Sequence, residues 1–380
     1  MLLPPRCNMH GTTPSYRPPK GLVAVLAMAG TLAAGVAGGF LARFVHLPLP
    51  WLLGPLVAIM ALSLAGAPLR LLPWGRPAGT IVVGASIGLQ FTTTVLLKLL
   101  TLLPLMIGAG FVSTLIGAVG GLIYMRLTGV DRCTAFFATV PGGVIETTTL
   151  APYYGAQLEP IMVAQTTRVA LIVVFAPFLV VSFVGAGGPN PLLAIPIAPW
   201  LPVLAMLAVS GGISALLSRL RSPSAFLLPP LFIATLCSGL GWIEGRMPDL
   251  LLIAAQIVIG SSLGAQFRPE FLTRLFGMLC AASVVLIFSG GSMVLIAAGT
   301  AWAIGYSIPT MILAMAPAGL AEMVLTGKLL GLDATVITGF QLTRIIVVLI
   351  WCRTALILFE RLADWTFGKA PPAPPDARRD

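Results

Sequence analysis

The residues with chemical potential lie inside apolar runs. Glu146 closes Pro141-Gly142-Gly143-Val144-Ile145-Glu146, and Glu322 closes Pro317-Ala318-Gly319-Leu320-Ala321-Glu322. An ionised group in hydrocarbon costs about 2.5–3.5 kcal/mol even on insertion scales, so an intramembrane carboxylate is a functional candidate. Two roles suit these carboxylates. Each takes a proton or coordinates a cation, or each is a buried brace paired with Arg168 or Arg344. Proline lacks an N–H, and glycine costs about 1 kcal/mol relative to alanine in a helix. Both stand in mid-segment ahead of the carboxylate, which predicts a broken or re-entrant helix. In lipid such a break survives only where protein or a watery cavity satisfies the freed backbone.

A second set sits on the helix that follows each break. Gln165 and Arg168 lie three apart on one helical face, as do Gln341 and Arg344. The guanidinium fork suits a carboxylate or phosphate. The pair therefore either holds an anionic ligand or caps carbonyls of the broken helix. Gly84-x-x-x-Gly88 and Gly260-x-x-x-Gly264 are small-residue faces that let helices approach closely.

These residues come in two copies. Gly84 recurs as Gly260, Glu146 as Glu322 and Arg168 as Arg344, always 176 positions on and without a gap between the landmarks. The apolar residues between them differ freely. A repeat of costly polar residues implies one paired internal site.

Composition sets the environment that must hold them. Mean hydropathy is +1.01, and only 9% of residues are charged, against about 25% in a soluble domain. Apolar segments are drawn at 21–42, 50–67, 78–92, 99–125, 133–152 and 158–187, then at 192–217, 224–242, 249–266, 274–305, 308–327 and 333–360. The expected organisation is a disordered cytoplasmic N-terminus over 1–20, a membrane repeat over 21–187, a connector at 188–191, a second repeat over 192–360 and a cytoplasmic tail over 361–380.

Charge placement orients the segments. If all twelve cross, Arg219, Arg221, Arg268 and Arg274 fall outside. If 133–152 and 308–327 are re-entrant, these four join Arg70, Arg76, Arg126, Arg132 and the basic termini inside. Only Arg43, Lys98, Arg246 and Lys328 then remain outside. The second arrangement predicts ten spans, two inverted halves and both termini in the cytoplasm. The fold class is thus an all-α polytopic membrane protein with two homologous halves of five spans, each with one broken or re-entrant helix.

Other functions find little footing. The net charge of +10 is spread singly between apolar runs, with no basic patch, so direct nucleic-acid binding is not expected. Five scattered cysteines and two histidines outside the spans give no metal site, and no cofactor is expected. The Walker, GxSxG, HExxH and CxxC patterns are absent, which argues against an enzyme.

With Pro50-Trp51-Leu52-Leu53-Gly54-Pro55, the two Pro-x-Gly-x-x-Glu blocks and Gln341-Leu342-Thr343-Arg344, the chain resembles the AbrB family of Gram-negative bacteria over about residues 21–360. It does not resemble the small soluble DNA-binding regulator of the same name. The resemblance implies a duplicated inner-membrane unit. Members are described as regulators of gene expression and, in older labels, as ammonia monooxygenases. The second half departs from the pattern, with Ala318 in place of Gly142 and Pro229 in place of Gly54.

Inverted repeats with broken helices characterise secondary transporters. The expected function is a transporter or exporter of a small solute, coupled to H⁺ or Na⁺ through Glu146 and Glu322. Its partners are the lipid bilayer, the solute and the coupling ion, and homo-oligomerisation is left open. The alternative is a membrane sensor with an indirect effect on gene expression.

Overall fold

The computed structural model describes residues 22–90, 93–142, 147, 151–184, 195–219, 225–267, 269 and 276–367. Gly143 and Glu146, the 188–191 connector and the 1–20 terminus lie outside the described residues. The fold is all-α. In chain order the helices are α1 (Leu22–Phe44), α2 (Pro50–Leu64), α3 (Gly75–Gly88), α4 (Thr93–Thr128), α5 (Arg132–Thr139) and α6 (Leu158–Val184). They continue with α7 (Trp200–Arg219), α8 (Leu228–Gly239), α9 (Asp249–Gly264), α10 (Phe276–Ile304), α11 (Ile308–Met315), α12 (Leu320–Leu329) and α13 (Ala334–Phe367).

Six of these, α1, α4, α6, α7, α10 and α13, are long and apolar enough to cross a bilayer. Their outer faces present bare apolar side chains such as Leu201, Ile287, Leu295 and Ile350, each at least three-quarters exposed. That exposure suits lipid. The ten predicted spans therefore divide into six of full length and four shorter helices, α2, α3, α8 and α9, of 12 to 16 residues. At 1.5 Å per residue these reach about 18–24 Å, short of a core about 30 Å thick. Proline shortens α2 and α8 by fixing their start at N1 or N2. At the other end of the chain, α13 runs to Phe367. The first residues of the predicted tail are thus helical.

The short helices form the centre. α2 packs on α1 and α9, α8 packs on α7 and α3, and α3 packs on α9. Farther along, α4 packs on α13 and α6 on α10. Each contact has a counterpart when the two stretches of chain are exchanged. Glycine makes the central crossings possible. A Cβ on Gly84 would stand 2.5 Å from the Leu227 carbonyl oxygen, and one on Gly88 would run into the Leu231 carbonyl. Gly260 and Gly264 meet the Leu52 and Leu56 carbonyls in the same way.

The two interrupted segments fold back as hairpins. α5 and α11 have eight residues each, about 12 Å, and cannot cross. Both stop ahead of a proline, which pushes the preceding residue to extended backbone. Val140 has ψ 133° and Ala316 has ψ 131°. The first hairpin is tied at its mouth, where the Gln157 N–H donates to Thr134 Oγ1 at 2.8 Å. The second is tied where the Tyr306 hydroxyl donates to Asp333 Oδ2 at 2.9 Å, with Lys98 Nζ on the same oxygen at 2.9 Å. Burial works against the Asp333 carboxylate, yet hydrogen bonds from Thr335, Lys98, Val336 and Tyr306 hold it below its ordinary value.

The mouths face opposite ways. Asp333 precedes the first turn of α13, while Arg132 at the first mouth pairs with Asp364 near its end, at 2.6 Å. About 45 Å of helix lies between those two acids. The tips meet midway. Arg344 of α13 bonds the second tip, and Val348, one turn on, lies within van der Waals reach of a Cβ built on Gly142 in the first.

The crossings predict a sign reversal. Gly→Ala in a helix ordinarily gains up to about 1 kcal/mol. Gly88→Ala and Gly264→Ala should instead lose about 1–3 kcal/mol by overpacking against a carbonyl. Gly211→Ala, with nothing within 4 Å of its Cβ, should not lose stability. Melting temperatures in detergent measure the difference.

Candidate functional site

Each hairpin tip frees carbonyls that no helix can satisfy. Long-helix side chains take them up. In the first hairpin, Gln165 Nε2 donates to Phe137 O at 2.9 Å and Val140 O at 3.3 Å. Arg168 Nη1 donates to Thr139 O and Val140 O at 3.3 and 3.2 Å, and Nη2 donates to Gly142 O at 3.2 Å. Arg168 Nη2 also donates to Gln165 Oε1 at 2.5 Å, locking the pair together.

The second hairpin repeats the arrangement 176 positions on. Gln341 Nε2 donates to Leu313 O at 2.8 Å and Ala316 O at 3.1 Å. Arg344 reaches Ala316 O at 2.5 Å through Nη1 and Ala318 O at 2.9 Å through Nη2. Here the lock is missing, because among the described residues the buried Gln341 Oε1 has no hydrogen-bond partner. Both guanidinium groups are buried, and each bears electrostatically on the other. Of the two roles open to Arg168 and Arg344, carbonyl capping is the one these bonds describe. Pro141, Gly142, Pro317 and Gly319 form the extended tips themselves.

Glu322 has a different partner from the expected one. It does not brace Arg344. Its Oε1 accepts from Arg76 Nη2 at 3.0 Å. The reason is directional. Glu322 sits in the first turn of α12 and folds back over Gly319, toward the N-terminus of its own helix, where the dipole favours a negative charge. Arg344 spends both Nη groups on carbonyls of the tip. Glu322 is 2% exposed, whereas the Arg76 side chain is 41% exposed. The ion pair thus joins the buried tip to a more exposed region. Lys328, at the other end of α12, donates to Ser86 O at 2.7 Å, so α12 is fastened to α3 at both ends.

Sequence reasoning treats Arg76 only as a topology-setting charge. The available signal was asymmetry, since the position 176 residues on is Leu252. Arg76 also lines a cavity of about 170 Å³ beside α3, discussed below. No cluster of metal-ligating side chains is present among the described residues.

A bundle of long apolar helices around two half-length hairpins, entered from opposite ends and capped by buried Gln–Arg pairs, defines a polytopic membrane protein. The family described as "Transition state regulatory protein AbrB" matches residues 51–360, and the chain belongs to it. It is 28% identical over 320 residues to "Putative regulator AbrB" of Escherichia coli (strain K12), covering 82% of this chain and 90% of that protein. It is 25% identical over 346 residues to "Uncharacterized protein YhjN" of Bacillus subtilis (strain 168), covering 84% of this chain and 89% of that one. No solved structure matches the chain.

The capping geometry gives a specific expectation. Lysine keeps the charge but cannot bridge two carbonyls with a planar fork. Arg344→Lys should therefore destabilise the ligand-free protein by about 1.5–3 kcal/mol, the scale of a hydrogen bond to a charged group. Arg43→Lys, at the end of α1, should leave the melting temperature unchanged.

Proposed function

We propose that this protein is a secondary transporter of the bacterial inner membrane, with both termini in the cytoplasm and the two halves inverted. It moves a small solute together with H⁺ or Na⁺. One observation carries the reading: two half-membrane hairpins enter from opposite ends of α13 and stop within one turn of each other at its middle. Such tips leave backbone groups and the carboxylate of Glu322 at mid-depth, where transporter folds place substrate and coupling ions.

The surrounding contacts support alternating access. The second hairpin is sealed at its mouth by Lys98, Tyr306 and Asp333. Its tip is instead reached from the far side, through Arg76 and the cavity beside α3. One carboxylate is therefore closed from one face by an ion-pair cluster and approached from the other through a single exchangeable pair. Opening the mouth while closing the Arg76 side would expose Glu322 to the second face. The capping bonds tie each tip to α6 or α13, so such a step moves a hairpin together with the long helix that caps it. The name of the Escherichia coli relative favours a second reading, a membrane sensor acting indirectly on gene expression.

Orientation is tested by cysteine labelling in a cysteine-free background. Gly331→Cys, at the mouth of the second hairpin, should react with an impermeant maleimide from outside. Arg219→Cys should react only after permeabilisation. Labelling of both from outside would replace the inverted halves with parallel ones.

Transport is tested in proteoliposomes on a solid-supported membrane, screening small solutes under an imposed H⁺ or Na⁺ gradient. Wild-type protein should give a solute-dependent current, and Glu322→Gln should abolish it while remaining inserted and monodisperse. A full-size current in Glu322→Gln would remove this carboxylate from the coupling step. No current for any solute, together with altered reporter expression in cells, would favour the sensor.

A further inference from the structure

The cavity beside α3 is lined by Thr31 of α1, Arg70 from the loop before α3, Gly75 and Arg76 of the first turn of α3, and Ser261 and Ser262 of α9. Three features make it unusual for an apolar bundle. First, two arginines line it, and no acidic residue does. Arg76 is offset by Glu322 behind the wall, but among the described residues the Arg70 side chain has no ion-pair partner. Second, the N-terminus of α3 borders it. Trp74, the N-cap, offers no side-chain acceptor, and the first turn carries no acid. The Gly75 and Ala78 N–H groups are already bonded to Leu72 O and Trp74 O and Pro77 has none, so it is the helix dipole that favours an anion at this end. Third, Ser261 lines the same cavity, is 1% exposed, and among the described residues its hydroxyl has no hydrogen-bond partner. A buried hydroxyl without a partner is destabilising, so a ligand that accepts from it recovers that loss.

The other half of the chain acts as an internal control. The position 176 residues after Arg70 is Arg246, and that arginine is ion-paired with Asp249. The counterpart of Asp249 is Pro73. The counterpart of Ser261 is Ala85, and that of Arg76 is Leu252. At equivalent places in the fold, one half neutralises its arginine with its own acid. The other half removes the acid, adds a second arginine and adds a buried hydroxyl.

We propose that this cavity binds a small oxyanion, a carboxylate or phosphate group, held by Arg70, Arg76, Ser261 and the start of α3. Arg76 is shared between that anion and Glu322. The charge balance fits a single negative charge, since two guanidinium groups and one carboxylate leave one positive charge. Arg76 supplies the link to the hairpin. Its fork has five donors, of which one bonds Glu322, so an anion in the cavity competes for the same side chain. Occupation of the cavity thereby loosens the contact between α3 and the tip of α12. That the anion is the transported solute rests on the transport reading; that it binds does not.

Binding is measured on the purified full-length protein in neutral detergent by isothermal titration with inorganic phosphate or with acetate, at matched ionic strength. Wild-type protein should bind at least one of them. Ser261→Ala, which installs the residue found at position 85, should fold normally and weaken binding about tenfold, the equivalent of roughly 1.4 kcal/mol. Arg70→Ala should abolish it. Glu322→Gln, by releasing Arg76, should tighten binding several-fold.

Absence of binding for both anions, or equal affinity in wild type, Ser261→Ala and Arg70→Ala, overturns the site. An unchanged affinity in Glu322→Gln overturns the sharing of Arg76. Repeating the titration in nanodiscs separates the sources of the oxyanion. Competition by phosphatidylglycerol, but not by phosphatidylcholine, assigns the same Arg70-dependent site to a lipid headgroup. No competition assigns it to a soluble anion. Binding without flux would count against the transport reading alone, and flux without binding against this site alone.

Discussion

The constraint on which the structure depends is the need to satisfy backbone carbonyls at two helix ends inside an apolar bundle. An amide left without a partner in an apolar environment costs roughly 2–7 kcal/mol, depending on the reference state. Each hairpin tip exposes several. Gln165 and Arg168 on α6, and Gln341 and Arg344 on α13, meet that demand from outside the hairpin. The demand explains why guanidinium groups stand in long apolar helices, and why they bond carbonyls. It also explains why the hairpins end where they do. Proline and glycine stop the helix within reach of a fixed fork, and the fork then fixes the tip.

The rest of the architecture follows from holding two such tips at one depth. Hairpins of eight-residue helices cover about half the bilayer, so two entering from opposite ends meet at the middle. Long helices must carry the caps to that depth and also anchor the mouths. α13 does both, with Asp333 beside its start, Arg344 near its middle and Asp364 near its end. The short helices α2, α3, α8 and α9 fill the remaining centre. Glycine lets them cross with carbonyl oxygens in near contact.

The two halves carry different loads. In the first, Gln165 Oε1 accepts from Arg168, and the cap is closed. In the second, Gln341 Oε1 has no partner, while Glu322 is tied to α3 through Arg76. Stability is therefore spread unevenly, and the second tip depends on an ion pair whose cationic side chain is partly exposed. Such regions open more readily than fully packed ones.

Much of the fold was legible in the residues. Apolar length and sparse charge specify helices in lipid, because backbone groups there must be satisfied within the segment. Pro141 and Pro317 mark the breaks, since proline removes a donor and fixes its neighbour's backbone. The Gln-x-x-Arg spacing marks the caps, since residues three apart share a helical face. The repeat shows that both were needed twice. Tertiary structure decided what spacing does not encode. Whether Arg344 holds a ligand or a carbonyl depends on which side of the tip α13 passes. The partner of Glu322 depends on its helix direction, which turns the carboxylate toward α3 and Arg76, 246 residues away in sequence. Arg70, Arg76 and Ser261 are unremarkable in sequence, because nothing local distinguishes an arginine that sets topology from one that faces a cavity. Only the packing of α1, α3 and α9 around one space brings them together.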